Sequence, residues 1–548
     1  MQVLLKTKKV KLFIIILFIF IQSLQVCFSQ DSKVRISTWN ISYYTGPDSR
    51  DNDIKNAVYG SYMGRSFAPD IILGQEFIDA GAVTHFKNLL NTATGSPGDW
   101  EAAPFINGPD TDSAFFYRTS FFDLINYIVV QNGGPNPEIP RNLMRYDVAI
   151  KGYPTASTPI IAMYSSHMKA GTSSTDRARR LREAQLIRND AQVLNPSWSF
   201  LYGGDTNIQN SNEAAYQKLV GSESNNNGRF FDPINSPGNW NNNSYFRFIH
   251  TQDPIGAGGM DDRHDQLLIS EDLIDGVGLD YIGNPAIPYS TSTWDDPNHS
   301  YRCWGNDGTS FDTTLTVNGN AMVGPMIAQA LINTAKSSGH LPVFLDLRLP
   351  NPLTVTVSKS ENQYNPTNDK YIKFRAVFSE SISGFTSSDV IVSGTAGGNK
   401  TVFVTGNGAV YDIAVGGITS PGTVIVSIPE NSAVSASNQV NFESENINNS
   451  VNVFHIGPFA MNIKSISNEY GPNTLGLRVK VCGQVSNLTQ NQCDISDGSG
   501  TIKIDFSNAA INGNYPLENG KYISVSGNVT SLSPKFITCA SYDEVIIY

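Results

Sequence analysis

The sequence predicts an α/β N-terminal unit followed by two all-β modules, and three observations predict it. Before residue 350, short unbroken apolar runs (Ile71-Ile72-Leu73, Ile160 to Met163, Phe200 to Tyr202, Leu267 to Ile269) occur alongside helix-spaced segments. Runs of that length without alternation suit strands buried on both faces. After Pro350-Asn351-Pro352 the helical spacing stops, and short strands separated by Gly, Asn and Ser turns take over. At 548 residues the chain exceeds what one core organises, and about 150 residues per domain gives three or four units.

In chain order, the first segment reads as an export signal rather than a domain. Lys6, Lys8, Lys9 and Lys11 precede the apolar run Leu12 to Ile21, with small and polar residues following to Gln30. Cleavage near Ser29 is expected, so residues 1–29 form the signal peptide and the mature chain is secreted, periplasmic or held at the cell surface. The apolar run is short for a membrane span and no other segment approaches about 18 apolar residues, so no stable membrane insertion is expected after signal removal.

Residues 30–350 form the α/β unit. Within it Ala178, Leu181, Ala184, Ile187, Ala191 and Leu194 recur at helical spacing, with caps at Ser173 to Thr175 and Asp176 in the first turn. Arg177, Arg179, Arg180 and Arg182 are expected on the solvated face of that helix. Gly221 to Gly228, Pro237 to Ser244 and Tyr289 to Phe311 are irregular and are expected to shape a cleft. Residues 351–456 hold seven short strands, from Leu353 to Phe454, the pattern of a sandwich. From 457 to 548, strands at Leu477 to Val485, Cys493 to Ile495, Thr501 to Phe506 and Tyr522 to Val529 surround an Asp497-Gly498-Ser499-Gly500 turn.

The formal net charge of −11 argues against nucleic-acid binding through bulk electrostatics. It leaves room for a site in which a cation neutralises phosphate locally. Cys482, Cys493 and Cys539 near the C-terminus admit either a disulfide or free buried thiols, and no Cys spacing is of the zinc type.

The chemistry gathers at strand ends. Asn40 closes the first strand and Gln75-Glu76 the second; His167 follows Tyr164-Ser165-Ser166, and Gly204-Asp205-Thr206-Asn207 follows Phe200 to Tyr202. Asp265 opens the run to Ser270, and His340 precedes Leu341-Pro342-Val343. Phosphodiester hydrolysis needs a hard cation, a positioned water and a group to relay a proton. Glu76 and Asn40 offer oxygen ligands of the kind Mg²⁺ prefers, with Mn²⁺ or Ca²⁺ as alternatives. Asp205 and Asn207 can aim a carboxylate and an amide at one phosphate, and His167 and His340 can donate or handle a proton. Tyr117, Arg118, Lys169 and Arg302 are further candidate phosphate contacts. His85, His250, His264, His299 and His455 are expected to be structural.

The order Asn, Gln-Glu, His, Gly-Asp-x-Asn, Arg-x-Asp and His-Leu-Pro-Val resembles the endonuclease/exonuclease/phosphatase superfamily over roughly Val34 to Leu347. Ala114 to Arg118, His167 to Ala170 and Arg182 to Ala184 add to the match. The resemblance implies a DNase I-like four-layer α/β sandwich with the polar residues meeting at one end. It also implies Glu76 as principal metal ligand with Asn40 and Asp205 assisting, Asp205 and Asn207 holding the attacking water or the phosphate, and Asp265 hydrogen-bonded to His340. The second module resembles bacterial immunoglobulin-like repeats around Phe378 to Thr386, and the third resembles a small OB-like barrel. One departure stands out: the family's last motif is usually Ser-Asp-His, and here it is Ser338-Gly339-His340. Asp261, Asp262 and Asp346 are acids available to compensate.

Three functions compete. The first is an extracellular nuclease with nucleic acid as substrate. The second is a sphingomyelinase-like or small phosphate-ester hydrolase. The third is a non-catalytic binding or adhesion protein whose site is retired.

Overall fold

The computed structural model of the protein describes residues 32–256, 258–336, 339–467, 473–507, 517–539 and 544–548. The expected signal peptide lies outside the described residues. The chain divides into two compact units, one ending at Asn351 and the other running from Pro352 to Tyr548.

The first unit is built on two mixed sheets. In sheet one, β1 (Lys33–Tyr44) lies between β12 (Val343–Arg348) and β2 (Ile71–Phe77); β4 (Asp112–Arg118) and β3 (Trp100–Ala102) follow β2. β10 (Asp280–Tyr281) and β11 (Arg302–Cys303) both pair with β12. Sheet two runs β5 (Phe122–Gln131), β6 (Leu143–Ile150), β7 (Ile160–His167), β8 (Ser199–Asp205) and β9 (Asp265–Ile269). Each sheet contains one parallel pair, β1 with β2 and β7 with β8, and antiparallel neighbours elsewhere.

Apolar side chains fill both faces of each sheet, as the unbroken runs predicted. Between the sheets, Val34, Ile36, Leu73 and Phe115 from sheet one meet Tyr146, Val148, Met163 and Leu201 from sheet two. Outside sheet one, Trp39, Ile41, Ile72 and Phe116 pack on α1 (Asp51–Tyr59), α2 (Ala80–Thr92) and α5 (Gly324–Ala335). Outside sheet two lie α3 (Ser174–Ala191) and α4 (Ala214–Val220). The layers are therefore helix, sheet, sheet, helix, the four-layer α/β sandwich that the resemblance implies.

The helix expected after Ser173 is α3, and Ser173 and Asp176 close a reciprocal capping box at its start. Its solvated arginine face needs correcting. Arg180 is buried and forms a bidentate pair with Glu213, while its remaining nitrogen donates to the Lys169 and Gly171 carbonyls. Arg188 is likewise buried, donating to the carbonyls of Lys218 and Gly221. A count of apolar spacing misses such a face, because its desolvation is offset by loop carbonyls rather than by hydrocarbon.

In the second unit, β13 (Val355–Lys359), β14 (Ile372–Phe378), β17 (Thr401–Asn407), β18 (Val410–Gly416) and β21 (Glu445–Asn446) form one sheet. β16 (Ile391–Ser393), β19 (Gly422–Ser427) and β22 (Ser450–Val453) form the facing one, and β15 (Ile382–Ser383) pairs with β20 (Val434–Ser435). The two larger sheets share a core in which Phe374 and Ile413 meet Val424 and Val451. The last module is a closed barrel in which β24 (Arg478–Ser486), β25 (Gln492–Ser496), β26 (Thr501–Asp505), β28 (Lys535–Thr538) and β27 (Tyr522–Leu532) pair in that order, β27 returning to β24. β23 (Phe459–Ala460) and β29 (Val545–Ile547) extend it, and β26 runs parallel to β28. Cys482, Cys493 and Cys539 are free thiols. No helix among the described residues is long and apolar enough to cross a membrane.

Candidate active site

In mixed sheets, the carboxyl ends of adjacent parallel strands are where backbone direction and loop geometry leave room for a ligand. Both parallel pairs of the first unit end in the residues singled out by chemistry. On sheet one, Asn40 is the register partner of Gln75, and Glu76 follows at once. On sheet two, His167 is the partner of Asp205, and Asp205 is the partner of Asp265. Three of the site residues thus share one rung of sheet two, each about 4.8 Å from the next strand.

Asp205 is the hub. It is 2% exposed, and its Oδ2 accepts from Asn40 Nδ2 at 3.0 Å and lies 3.2 Å from His167 Nε2 and 3.5 Å from His340 Nε2. Its Oδ1 accepts from the backbone and side-chain nitrogens of Asn207 at 3.1 and 3.0 Å. Asn207 also donates to the Met168 carbonyl, which ties the β8 turn to the end of β7. Burial opposes ionisation of Asp205, but the imidazoles of His167, His340 and His264 and the Asn40 amide hold its carboxyl far below the usual range.

His340 reaches the cluster from the segment leading into β12. Its Nδ1 lies 2.6 Å from Asp265 Oδ2, and its carbonyl accepts from Trp39 Nε1 at 3.1 Å, one residue before Asn40. Burial works against its charge, yet Asp265 and Asp205 outweigh it and push the imidazole up to about 10. His167 goes the other way: burial lowers its pKa against the pull of the Asp205 and Glu76 carboxylates.

Glu76 faces outward, its side chain 20% exposed. One oxygen accepts from Asn40 Nδ2 at 2.9 Å and the other from the Tyr43 amide at 2.8 Å. The register between β1 and β2 shifts between Asn40 and Tyr44, and Ser42 and Tyr43 take φ of 57° and 50°. This bulge turns the Tyr43 amide toward Glu76, which itself has φ of 66°.

The donor set fits a hard divalent cation of one kind. Among the described residues no three His, Cys, Asp or Glu side chains form a metal cage. A cation here would rest on the Glu76 carboxylate and keep water in the rest of its shell, as Mg²⁺ commonly does, because Asn40 turns its amide nitrogen toward Glu76 and Asp205 and its oxygen to the Ser42 amide. Position 339 adds nothing. A β-carbon built on Gly339 would stand 2.1 Å from both the carbonyl oxygen and the β-carbon of Ala335, at the end of α5, so this backbone has no room for a side chain. Asp346 does not compensate, because it pairs with Arg35 and Lys33 near the opposite end of β1.

The four candidate phosphate contacts fare differently. Tyr117 and Arg118 belong elsewhere: Tyr117 is the register partner of Ile71, at the start of β2, and Arg118 pairs with Asp70 and Asp99. They sit roughly 17 Å along the strand from Glu76, at about 3.4 Å per residue. Antiparallel pairing of β4 with β2 sends the end of β4 away from the rim, which residue spacing alone does not show. Arg302 is engaged locally, donating to the carbonyls of Asp296, His299 and Tyr301. Lys169 stays beside the site, two residues past His167 and 32% exposed, with Asp176 at 3.4 Å.

Two residues were missed. Gln252 brings its amide nitrogen to 3.4 Å from His340 Nε2, and nothing in the sequence marks it. His264 lies inside the Arg-His-Asp motif, with its ring centroid 6.4 Å from that of His340; its place next to Asp265 was a usable signal. His250 is structural as expected, lying within hydrogen-bond distance of the Trp240 and Met260 carbonyls.

No protein-family model matches the chain, and no curated protein matches it. Among solved structures, it is similar to an endonuclease/exonuclease/phosphatase family protein from Bacteroides thetaiotaomicron, at 14% identity and a TM-score of 0.34, covering 59% of this chain and 100% of that one. It is also similar to D. rerio TDP2 complexed with single strand DNA product, at 13% and 0.34, covering 58% and 100%. The human Nocturnin catalytic domain with bound sulfate anion gives 15% and 0.31, covering 57% and 93%.

Proposed function

We propose that this chain is a divalent-cation-dependent phosphodiesterase and, in the finer reading, a secreted nuclease. One observation carries the proposal: side chains from position 40 to position 340 gather around the Asp205 carboxylate, with Glu76 at the open side.

A divalent cation held by Glu76, whose carboxylate the Asn40 amide steadies, would supply Lewis acidity toward a phosphoryl oxygen. The chain's own residues do the rest. His340, kept protonated by Asp265, can donate to charge developing on the phosphoryl group. Asp205, kept ionised, can orient an attacking water by accepting its proton in a hydrogen bond. Asn207 fixes that carboxylate from the other side, and His167 closes the rung.

Export is supported by the basic and apolar layout of residues 1–29. A nucleic-acid substrate is supported by the closed C-terminal barrel, since OB-type barrels serve oligonucleotides and oligosaccharides. Gly339 keeps a second reading alive, that of a binding protein with a retired site.

The deciding experiment incubates the purified chain with plasmid DNA, RNA, sphingomyelin and bis(4-nitrophenyl) phosphate, each with Mg²⁺, Mn²⁺, Ca²⁺ or chelator. Chelator-sensitive cleavage of nucleic acid is expected. Head-group release alone would move the substrate to lipid, and no turnover with any cation would sink the hydrolase proposal.

A further inference from the structure

Arg50 is a buried cation that takes no part in the cluster around Asp205. It stands just before α1, is 3% exposed, and sets its guanidinium against the Tyr44 ring, 5.2 Å from the centroid. Its Nε pairs with Asp48 at 3.0 Å. Its Nη1 gathers three carbonyls: Ile41 at 2.7 Å, Ser42 at 3.0 Å, and Thr334, in the last turn of α5, at 3.1 Å. Taking a guanidinium out of water is costly, and backbone oxygens that satisfy it are held in place in return.

The same peptide units end at the rim. In a trans peptide the carbonyl and the amide point to opposite sides. The unit that offers the Ile41 carbonyl to Arg50 carries the Ser42 amide, which donates to Asn40 Oδ1 at 3.0 Å. The next unit offers the Ser42 carbonyl to Arg50 and carries the Tyr43 amide, which donates to Glu76 Oε2 at 2.8 Å. Two consecutive peptide planes thus stand between one guanidinium and the two rim side chains. Ser42 and Tyr43, at φ of 57° and 50°, occupy the left-handed region that side chains disfavour, so local preference alone does not hold them there. The Ser42 contact also decides how Asn40 faces: with its oxygen taken, its nitrogen is left for Glu76 and Asp205.

Resting on the reading of Glu76 as the seat of a divalent cation, we propose that Arg50 is a positioning residue for that site, holding the bulge from Ile41 to Tyr43 in the orientation that fixes the Asn40 amide and the Glu76 carboxylate at the rim. It touches neither side chain and acts through the two peptide units between them.

The test titrates Mn²⁺ calorimetrically into the full chain, Arg50→Met and Arg50→Lys. Arg188→Met serves as the control, a buried arginine that also donates to loop carbonyls but at the far end of α3. Charge alone would make the loss of a nearby cation tighten Mn²⁺ binding, whereas loss of positioning weakens it, so the sign of the change discriminates. Arg50→Met should weaken Mn²⁺ binding by about tenfold or more, the range seen when a partner that orients a metal ligand is removed. Arg50→Lys, which restores the charge and a donor to these carbonyls, should recover part of that loss. Arg188→Met should lower the Tm and leave Mn²⁺ affinity as it was. Unchanged or tighter binding by Arg50→Met overturns the proposal, as does an equal loss in Arg188→Met, which would make the effect general destabilisation. Should the methionine variant not fold, Arg50→Gln takes its place under the same expectation. Absence of Mn²⁺ binding by the unsubstituted chain sinks the cation site and the proposal together. Hydrolysis of bis(4-nitrophenyl) phosphate, run in parallel, reports on the phosphodiesterase reading separately: Mn²⁺ binding that depends on Arg50 without turnover keeps the role of Arg50 and sinks only the hydrolase.

Discussion

Glu76 pays for its position with a backbone φ of 66°, a region where a side chain is unfavourable, and the neighbouring bulge delivers the Tyr43 amide to its carboxylate. Strain of this kind persists where surrounding contacts over-determine it, which fits a carboxylate that must face outward. Glu76→Gln should lower the hydrolysis of bis(4-nitrophenyl) phosphate at fixed Mg²⁺ by at least about a hundredfold and weaken the cation dependence. Unchanged rates would remove Glu76 from the site. A second buried acid makes a prediction about stability. Burial pushes Glu183 on α3 up to about 7 from an ordinary 4.5, with the Ser166 hydroxyl and distant arginines offsetting only part of that. The folded chain therefore holds this proton more tightly than the unfolded one. Its contribution to stability is greatest below about pH 4.5 and falls as pH rises to about 7, by at most about 3 kcal/mol. Glu183→Gln should flatten the Tm between pH 5 and 7, and an unaltered Tm profile would refute the assignment. Of these residues Glu76 was legible in the sequence, since it follows an apolar run within a recognisable motif. Glu183 was seen only within the Arg182 to Ala184 match, with nothing to mark its burial, because burial of a polar side chain leaves no periodic trace.

At the scale of elements, strand ends proved more informative than helices. The runs ending at Glu76, His167 and Asp205 are strands β2, β7 and β8, and the polar residue after each apolar run marks the rim. What the sequence could not convey is direction: β4 runs antiparallel to β2, so Arg118 lands at the wrong end, while β7 and β8 run parallel and bring His167 level with Asp205. The helix α5 supplies the sharpest correction at this scale. From the motif alone, putting Asp at position 339 promises a regained ligand. The contact of Gly339 with Ala335 predicts the opposite. Gly339→Asp should cost about 1–3 kcal/mol in stability through overpacking and should not raise cation affinity. A variant with an unchanged melting temperature and tighter Mn²⁺ binding would show that the end of α5 yields easily.

For the whole molecule, the chain divides after Asn351, between the end of β12 at Arg348 and the start of β13 at Val355, where Pro350 and Pro352 interrupt strand pairing. Each unit has its own apolar clusters, so a fragment ending at Asn351 should fold and keep the hydrolysis of bis(4-nitrophenyl) phosphate to within about twofold. Calorimetry of the intact chain should resolve more than one transition. A single cooperative transition, or an insoluble fragment, would count against independent units. The sequence also foresaw the longer strands of the second unit, whose Gly and Asn turns punctuate them, and it overlooked β15, β20, β21, β23, β28 and β29, each too short to show an alternating pattern. One consequence follows from the common rung of His167, Asp205 and Asp265. Their mutual spacing is set by backbone pairing at the terminal rung of β7, β8 and β9, and β9 is the edge strand of its sheet, so this rung can open locally while the rest of the domain stays folded. Turnover should therefore be lost at a lower urea concentration than the far-ultraviolet dichroism of the first unit, and coincident midpoints would show that the rung opens only with the whole domain.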